Sequence, residues 1–185
     1  MWDKALRVRD LPADFFWTIV ALLPNEIEPV AEFIEMVVEH HKHRPIPFSF
    51  IYKEDSFDVT GRIRGGSGMT CATFILAIFE RFQMPLVDVK TWRKRPVEDR
   101  KFQDAVIEGA SQNQFIDSGT ISNLLDEKPN FRIKPAEVCG AAAHGKYPVN
   151  FNLARKLADE VYQIIRDVLA TKSIPSGGSD TPSAG

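Results

Sequence analysis

The sequence predicts a single α+β domain over about residues 1–172, with a small, mostly antiparallel sheet packed against a buried central helix and a helical C-terminal half. Three observations predict it. The N-terminal part holds strand-like segments: "ALRVRDL" alternates apolar and polar residues with period two, and "FFWTIVALL" is an apolar run rich in aromatic and β-branched residues. From Cys71, "CATFILAIF" is apolar almost all round, as a helix enclosed by a core must be. Near the end, "NLARKLADEVYQIIRDVLATK" sets Leu153, Leu157, Val161, Ile164, Ile165, Val168 and Leu169 on one helical face.

Each further element has its own signal. After Pro24, Asn25 with Glu28 three positions on resembles a capping pair, and Ile27, Ala31, Ile34 and Val38 follow at helical spacing to about His40. "PIPFSFIY" reads as a strand, placed at a sheet edge because Pro45 and Pro47 lack amide donors, and "DSFDVTGR" reads as the turn after it. The central helix begins near Thr70. Phe102, Ala105, Val106 and Gly109 mark one side of a helix in "VEDRKFQDAVIEG". "SGTISNLLDEK" is a short helix capped near Ser118 or Thr120, "KPAEVCGAAA" is another with Pro135 in its first turn, and Asn150 or Asn152 caps the last. Residues 173–185, "SIPSGGSDTPSAG", have almost nothing to bury and read as a disordered tail.

Composition narrows the function classes. A chain of 185 residues with 44% hydrophobic and 26% charged residues supports one substantial core. A formal net charge of −2 gives no overall attraction to nucleic acid or an anionic membrane. The basic run "KTWRKRP", Lys90 to Pro96 with Trp92 among the cations, reads as a solvated loop. No apolar run reaches the roughly 18 residues of a membrane span, and no basic segment followed by an apolar one marks a leader, which together predict a cytoplasmic protein. Cys71 and Cys139 form neither a disulfide framework nor a paired zinc motif. His40 or His41 with His43 could make two metal ligands, but no acidic or thiol partner stands at a fitting spacing, so neither metal nor cofactor is expected.

The stretch "GGSGMTCATFILAIFERF" carries the chemical signal. A helix starting near Thr70 puts the Cys71 thiol where unpaired amides and the positive end of the helix dipole favour a thiolate. The glycines at 65, 66 and 68 let backbone approach a bound group closely. "GMTCATFILAIF" resembles the nucleophile segment of the papain-like superfamily, especially the NlpC-type cell-wall peptidases and their circularly permuted relatives, over about a dozen residues. The resemblance implies a Cys-His thiol hydrolase, such as a thiol protease, or an acyltransferase acting on an amide or ester, with Cys71 as nucleophile. Backbone amides from Thr70 to Ala72, with Gly68 beside them, would then stabilise the oxyanion.

Permuted relatives carry their histidine before the cysteine on a strand, which makes His43 the first choice of base and His41 an alternative. Non-permuted relatives carry it after, which makes His144 another. Asp58, with Asp55 and Ser49 nearby, stands close enough in sequence to His43 to orient it. The substrate could be a peptide, a lipid or an acyl group, since Phe48, Tyr52 and Trp92 would suit any of them at a cleft. The alternative is a non-catalytic binding module or immunity-like adaptor, in which Cys71 is a core residue and an aromatic surface including Trp92, with the tail, meets a protein partner.

Overall fold

A computed structural model describes residues 24–43, 46–65, 68–114, 116, 118–128 and 130–172. Within them the chain is helical: α1 Pro24–His41, α2 Cys71–Arg81, a 3₁₀ turn Val89–Thr91, α3 Pro96–Ser111, α4 Ser118–Asp126, α5 Pro135–His144 and α6 Phe151–Lys172. The described residues contain no strand or sheet, and this overturns the α+β expectation. Two isolated bridges, Phe57 with Ile63 and Val87 with Val149, are the β-type pairings among them. "ALRVRDL", "FFWTIVALL" and the segment 173–185 lie outside the described residues.

The segment read as an edge strand shows why no sheet forms there. Residues 46–52 form no strand, and two of their amides are taken by side chains. The Phe50 amide donates to the Glu127 carboxylate at 2.7 Å and the Ile51 amide to Ser49 Oγ at 3.0 Å. A carbonyl that a neighbouring strand would need, that of Pro47, accepts from the Met69 amide at 2.8 Å. Side-chain acceptors, one local and one 77 positions away, take the place of a ladder.

Helix α2 lies between two cores. Leu76 and Phe79 pack with Leu86, Trp92, Ala141 and Phe151, while Ala77 and Ile78 pack with Val30, Phe33, Val37 and Phe57. A third cluster, Phe50 with Val106, Ala110 and Leu124, joins the extended segment to α3 and α4. Helices α5 and α6 form the main helix pair. Gly140 allows their approach, because a Cβ there would stand 2.7 Å from Leu157 Cβ. Asn150, rather than Asn152, caps α6, its Oδ1 accepting from the Leu153 amide at 3.0 Å.

Two helices turn other faces inward than their spacing predicts. In α1 the buried residues are Val30, Phe33 and Val37, leaving Ile27 and Ile34 exposed. Phe33 decides this rotation through edge-to-face contacts with Phe57 at 5.9 Å and Phe82 at 5.7 Å. In α3 the buried residues are Asp99, Gln103, Val106 and Ala110, and Ala105 faces solvent. Two polar side chains are drawn in by distinct partners, Asp99 by Arg95 and Gln103 by the Asn130 carbonyl.

Candidate functional site

The start of α2 is built by a capping box. Thr70 Oγ1 accepts from the Thr73 amide at 3.1 Å, and the Thr70 amide donates to Thr73 Oγ1 at 2.8 Å. The Thr70 amide is therefore already committed and does not await an oxyanion. Cys71 is the first residue of the helix and is exposed, on the same outer strip as Ile75, while Ala72 turns into the core. The Cys71 thiol has no hydrogen-bond partner among the described residues. The glycine at 68 has a packing reason: a Cβ there would lie 2.9 Å from the Phe48 carbonyl and 2.7 Å from Ser49 Cβ. Gly65 holds a left-handed turn at φ 57°, and Gly66 lies outside the described residues.

The structure does not bring an imidazole into hydrogen-bonding contact with that sulfur. His40 and His41 occupy the last turn of α1, and His43 is exposed two residues past its end. His144 ends α5, next to Gly145 in the left-handed conformation that closes the helix. Imidazoles in a last turn interact well with the carbonyl end of a helix dipole, which gives His40, His41 and His144 a structural place.

Asp58 has a local task. Its Oδ1 accepts from the Thr60 amide at 2.8 Å, the Thr60 hydroxyl at 2.8 Å and the Arg62 amide at 3.0 Å, closing the loop between the bridged Phe57 and Ile63. The Thr60 hydroxyl, then the Arg62 amide, hold its carboxyl below the usual range. Asp55 pairs with Arg64, and Ser49 Oγ donates to Glu127 at 2.8 Å. No group of three metal-ligating side chains occurs among the described residues.

Trp92 is 8% exposed and belongs to the core, stacked edge-to-face on Phe151 at 5.5 Å. The basic run that reads as a solvated loop thus sends two of its members inward. Arg95 Nε donates to Asp99 at 3.1 Å, its Nη1 to Glu137 at 2.5 Å and its Nη2 to the Arg132 carbonyl, which also accepts from Trp92 Nε1 at 3.2 Å. Asp99 and Glu137 are almost fully buried, and their second oxygens accept the Arg95 and Lys134 amides at 2.7 Å each, so every charge has partners. The spacing of Arg95 and Asp99 across Pro96, an i,i+4 ion pair at a helix start, is the sequence signal for this network.

Against it lies a small cavity whose wall includes Tyr52, Thr70, Phe102, Gln103 and Arg132, about 10 Å³ in volume. The Arg132 guanidinium lies 3.5 Å over the Phe102 ring, and burial pulls its basicity down. Gln103 is 1% exposed; its Nε2 donates to the Asn130 carbonyl at 2.9 Å and its Oε1 has no partner among the described residues. Tyr52 donates to Glu80 at 2.8 Å, and burial pushes its phenol up. A second depression of about 210 Å³, lined by Asp55, Glu80, Arg81 and Gln83, adjoins the other end of α2. Neither cavity is lined by a cysteine or a histidine.

No protein-family model, curated protein or solved structure matches this chain. No helix among the described residues is long and apolar enough to cross a membrane.

Proposed function

We propose that the protein is a non-catalytic binding module that meets a partner protein through the outer half of α6. The observation that carries this reading is the mismatch between α5 and α6. Helix α5 has 10 residues and α6 has 22. The fully buried residues of α6, Phe151, Ala154 and Ala158, all lie in its first half. Beyond them Val161 and Ile165 are half-buried, Tyr162 is 39% exposed and Ile164 is 60% exposed. An apolar stripe that outruns its packing partner among the described residues suits an amphipathic helix from another chain. Thiol hydrolysis is the less supported reading, since a nucleophilic cysteine needs a base within hydrogen-bonding reach and Cys71 has none among the described residues.

One pair of variants separates the two. Association with a natural partner should be lost in Ile164→Asp and kept in Cys71→Ser. The parent should show no multiple turnover of p-nitrophenyl acetate. Sustained turnover that Cys71→Ser abolishes would replace this reading with the hydrolase.

A further inference from the structure

We propose that the outer face of α1 is a second docking surface and that its occupant is a basic amphipathic helix of another protein, with apolar side chains on the stripe Ile27, Ala31, Ile34 and Val38 and lysines or arginines against Glu28 and Glu35. The surface is argued from α1 alone and does not depend on the α6 reading.

The helical period sorts α1 into adjoining strips. Val30, Phe33 and Val37 share a strip of about 60°, and it packs into the core with Phe57, Ala77 and Ile78. The next strip holds Ile27, Ala31, Ile34 and Val38. Ile27 is 53% and Ile34 38% exposed, Ala31 is exposed and Val38 is half-buried. The strip beyond that holds Glu28, Glu32, Glu35 and Glu39, all exposed, and α1 contains no lysine or arginine. Glu39 meets Lys42 at 3.7 Å, whereas Glu28, Glu32 and Glu35 form no ion pair among the described residues.

Spacing and charge together fix the occupant's chemistry. The stripe advances by four, three and four residues, the spacing of a seam along which one helix seats on another. Beside that seam stand Glu28 and Glu35 on one side and the buried Val30 and Val37 on the other. A visiting helix therefore meets charge on one flank only, and that flank is acidic. Charged pairs at such flanking positions set the choice of partner, so cations suit the visitor there. The same carboxylates disfavour other occupants. A nucleic acid or an anionic membrane would face a row of like charges, and two copies lying antiparallel along the stripe would set Glu28 and Glu35 against the same residues of each other.

The test uses the full chain and, as probe, a fluorescein-labelled two-heptad peptide with leucine at the seam positions and lysine at the others, followed by fluorescence anisotropy. Saturable binding is expected. A peptide of the same composition in scrambled order, and one with glutamate in place of lysine, should each bind at least about tenfold more weakly. Ile34→Asp should weaken the probe by a similar factor although it adds a negative charge, because it breaks the seam. Glu28→Gln combined with Glu35→Gln should weaken it several-fold and flatten its salt dependence. These three positions are exposed, so the substitutions leave the core untouched. Ile164→Asp on α6 should change nothing. The proposal is overturned if the probe shows no saturable binding up to about 0.5 mM, if the scrambled peptide binds as well, if Ile34→Asp leaves binding unchanged, or if Ile164→Asp weakens it as much as Ile34→Asp does. It is also overturned if the chain dimerises, or binds phosphatidylglycerol vesicles, in a manner that Ile34→Asp abolishes, since the stripe would then belong to another occupant.

Discussion

Arg95 and Arg132 meet in one corner of the molecule, and the fold treats them oppositely. Arg95 is enclosed and each of its three guanidinium nitrogens donates, to Asp99, to Glu137 and to the Arg132 backbone. Arg132 lends its carbonyl to that network but sends its guanidinium to the face of Phe102, with no carboxylate on it among the described residues. A buried charge that is fully partnered holds elements in place, here the starts of α3 and α5 and the chain between α4 and α5. A half-buried charge that feels Asp99 and Glu98 only through space, with no bond to either, adds less to that hold. Burial and partner count, rather than residue type, separate the two roles.

The sharpest way to break that contrast is Glu137→Ala. It strips the carboxylate from Arg95 and the acceptor from the Lys134 amide, and should destabilise the protein by about 3–5 kcal/mol in urea unfolding. A loss below about 1 kcal/mol would mean that Arg95 is not a buried hub. Trp92→Phe removes the Nε1 bond to the Arg132 carbonyl while Arg95 still holds that oxygen, and the expected loss is about 1 kcal/mol or a little more. Arg132→Ala should cost about 1 kcal/mol, the scale of a half-buried cation over a ring. A larger loss would show Arg132 to be as structural as Arg95.

The smallest effect is a pH dependence. The hydrogen bond from Lys134, then its charge and that of Arg95, hold the Glu98 carboxyl below its usual range. A group with a lowered native value binds fewer protons folded than unfolded. Its contribution is complete above the ordinary carboxylate value, about pH 4.3, and is lost as pH falls through the lowered one. The urea midpoint should therefore drop from about pH 5 to about pH 3. Lys134→Met should shrink that drop slightly, by tenths of a kcal/mol, because Glu98 is 52% exposed and screened. An unchanged or steeper drop in the variant would remove Lys134 from the account.

Helices were legible where local chemistry sets them. Pro135 in a first turn and the stripe from Leu153 mark helices found at those places, whereas α1 begins at Pro24, so Asn25, read as its cap, lies inside the helix. Their inward faces were less legible, because a stripe such as Ile27, Ala31, Ile34 and Val38 satisfies the helical period as well as Val30, Phe33 and Val37 do. Aromatic partners remote in sequence, Phe57 and Phe82, choose between them. The Cys71 segment showed where a helix begins and which residue opens it. It did not show whether a histidine would reach the sulfur, since His43 and Cys71 are joined by a chain whose path is set by Glu127, Ser49 and the Pro47 carbonyl.

By itself, then, the sequence determined the helix starts and stops over the described residues, through caps, prolines and period, which act across three or four positions. Tertiary structure alone decided that residues 46–52 would form no strand, that Trp92 and Arg95 would leave the basic run for the interior, and that Gln103 and Arg132 would share a cavity. Those outcomes rest on hydrogen bonds and ring contacts between residues dozens of positions apart. No local pattern encodes which distant acceptor a buried amide or guanidinium will find.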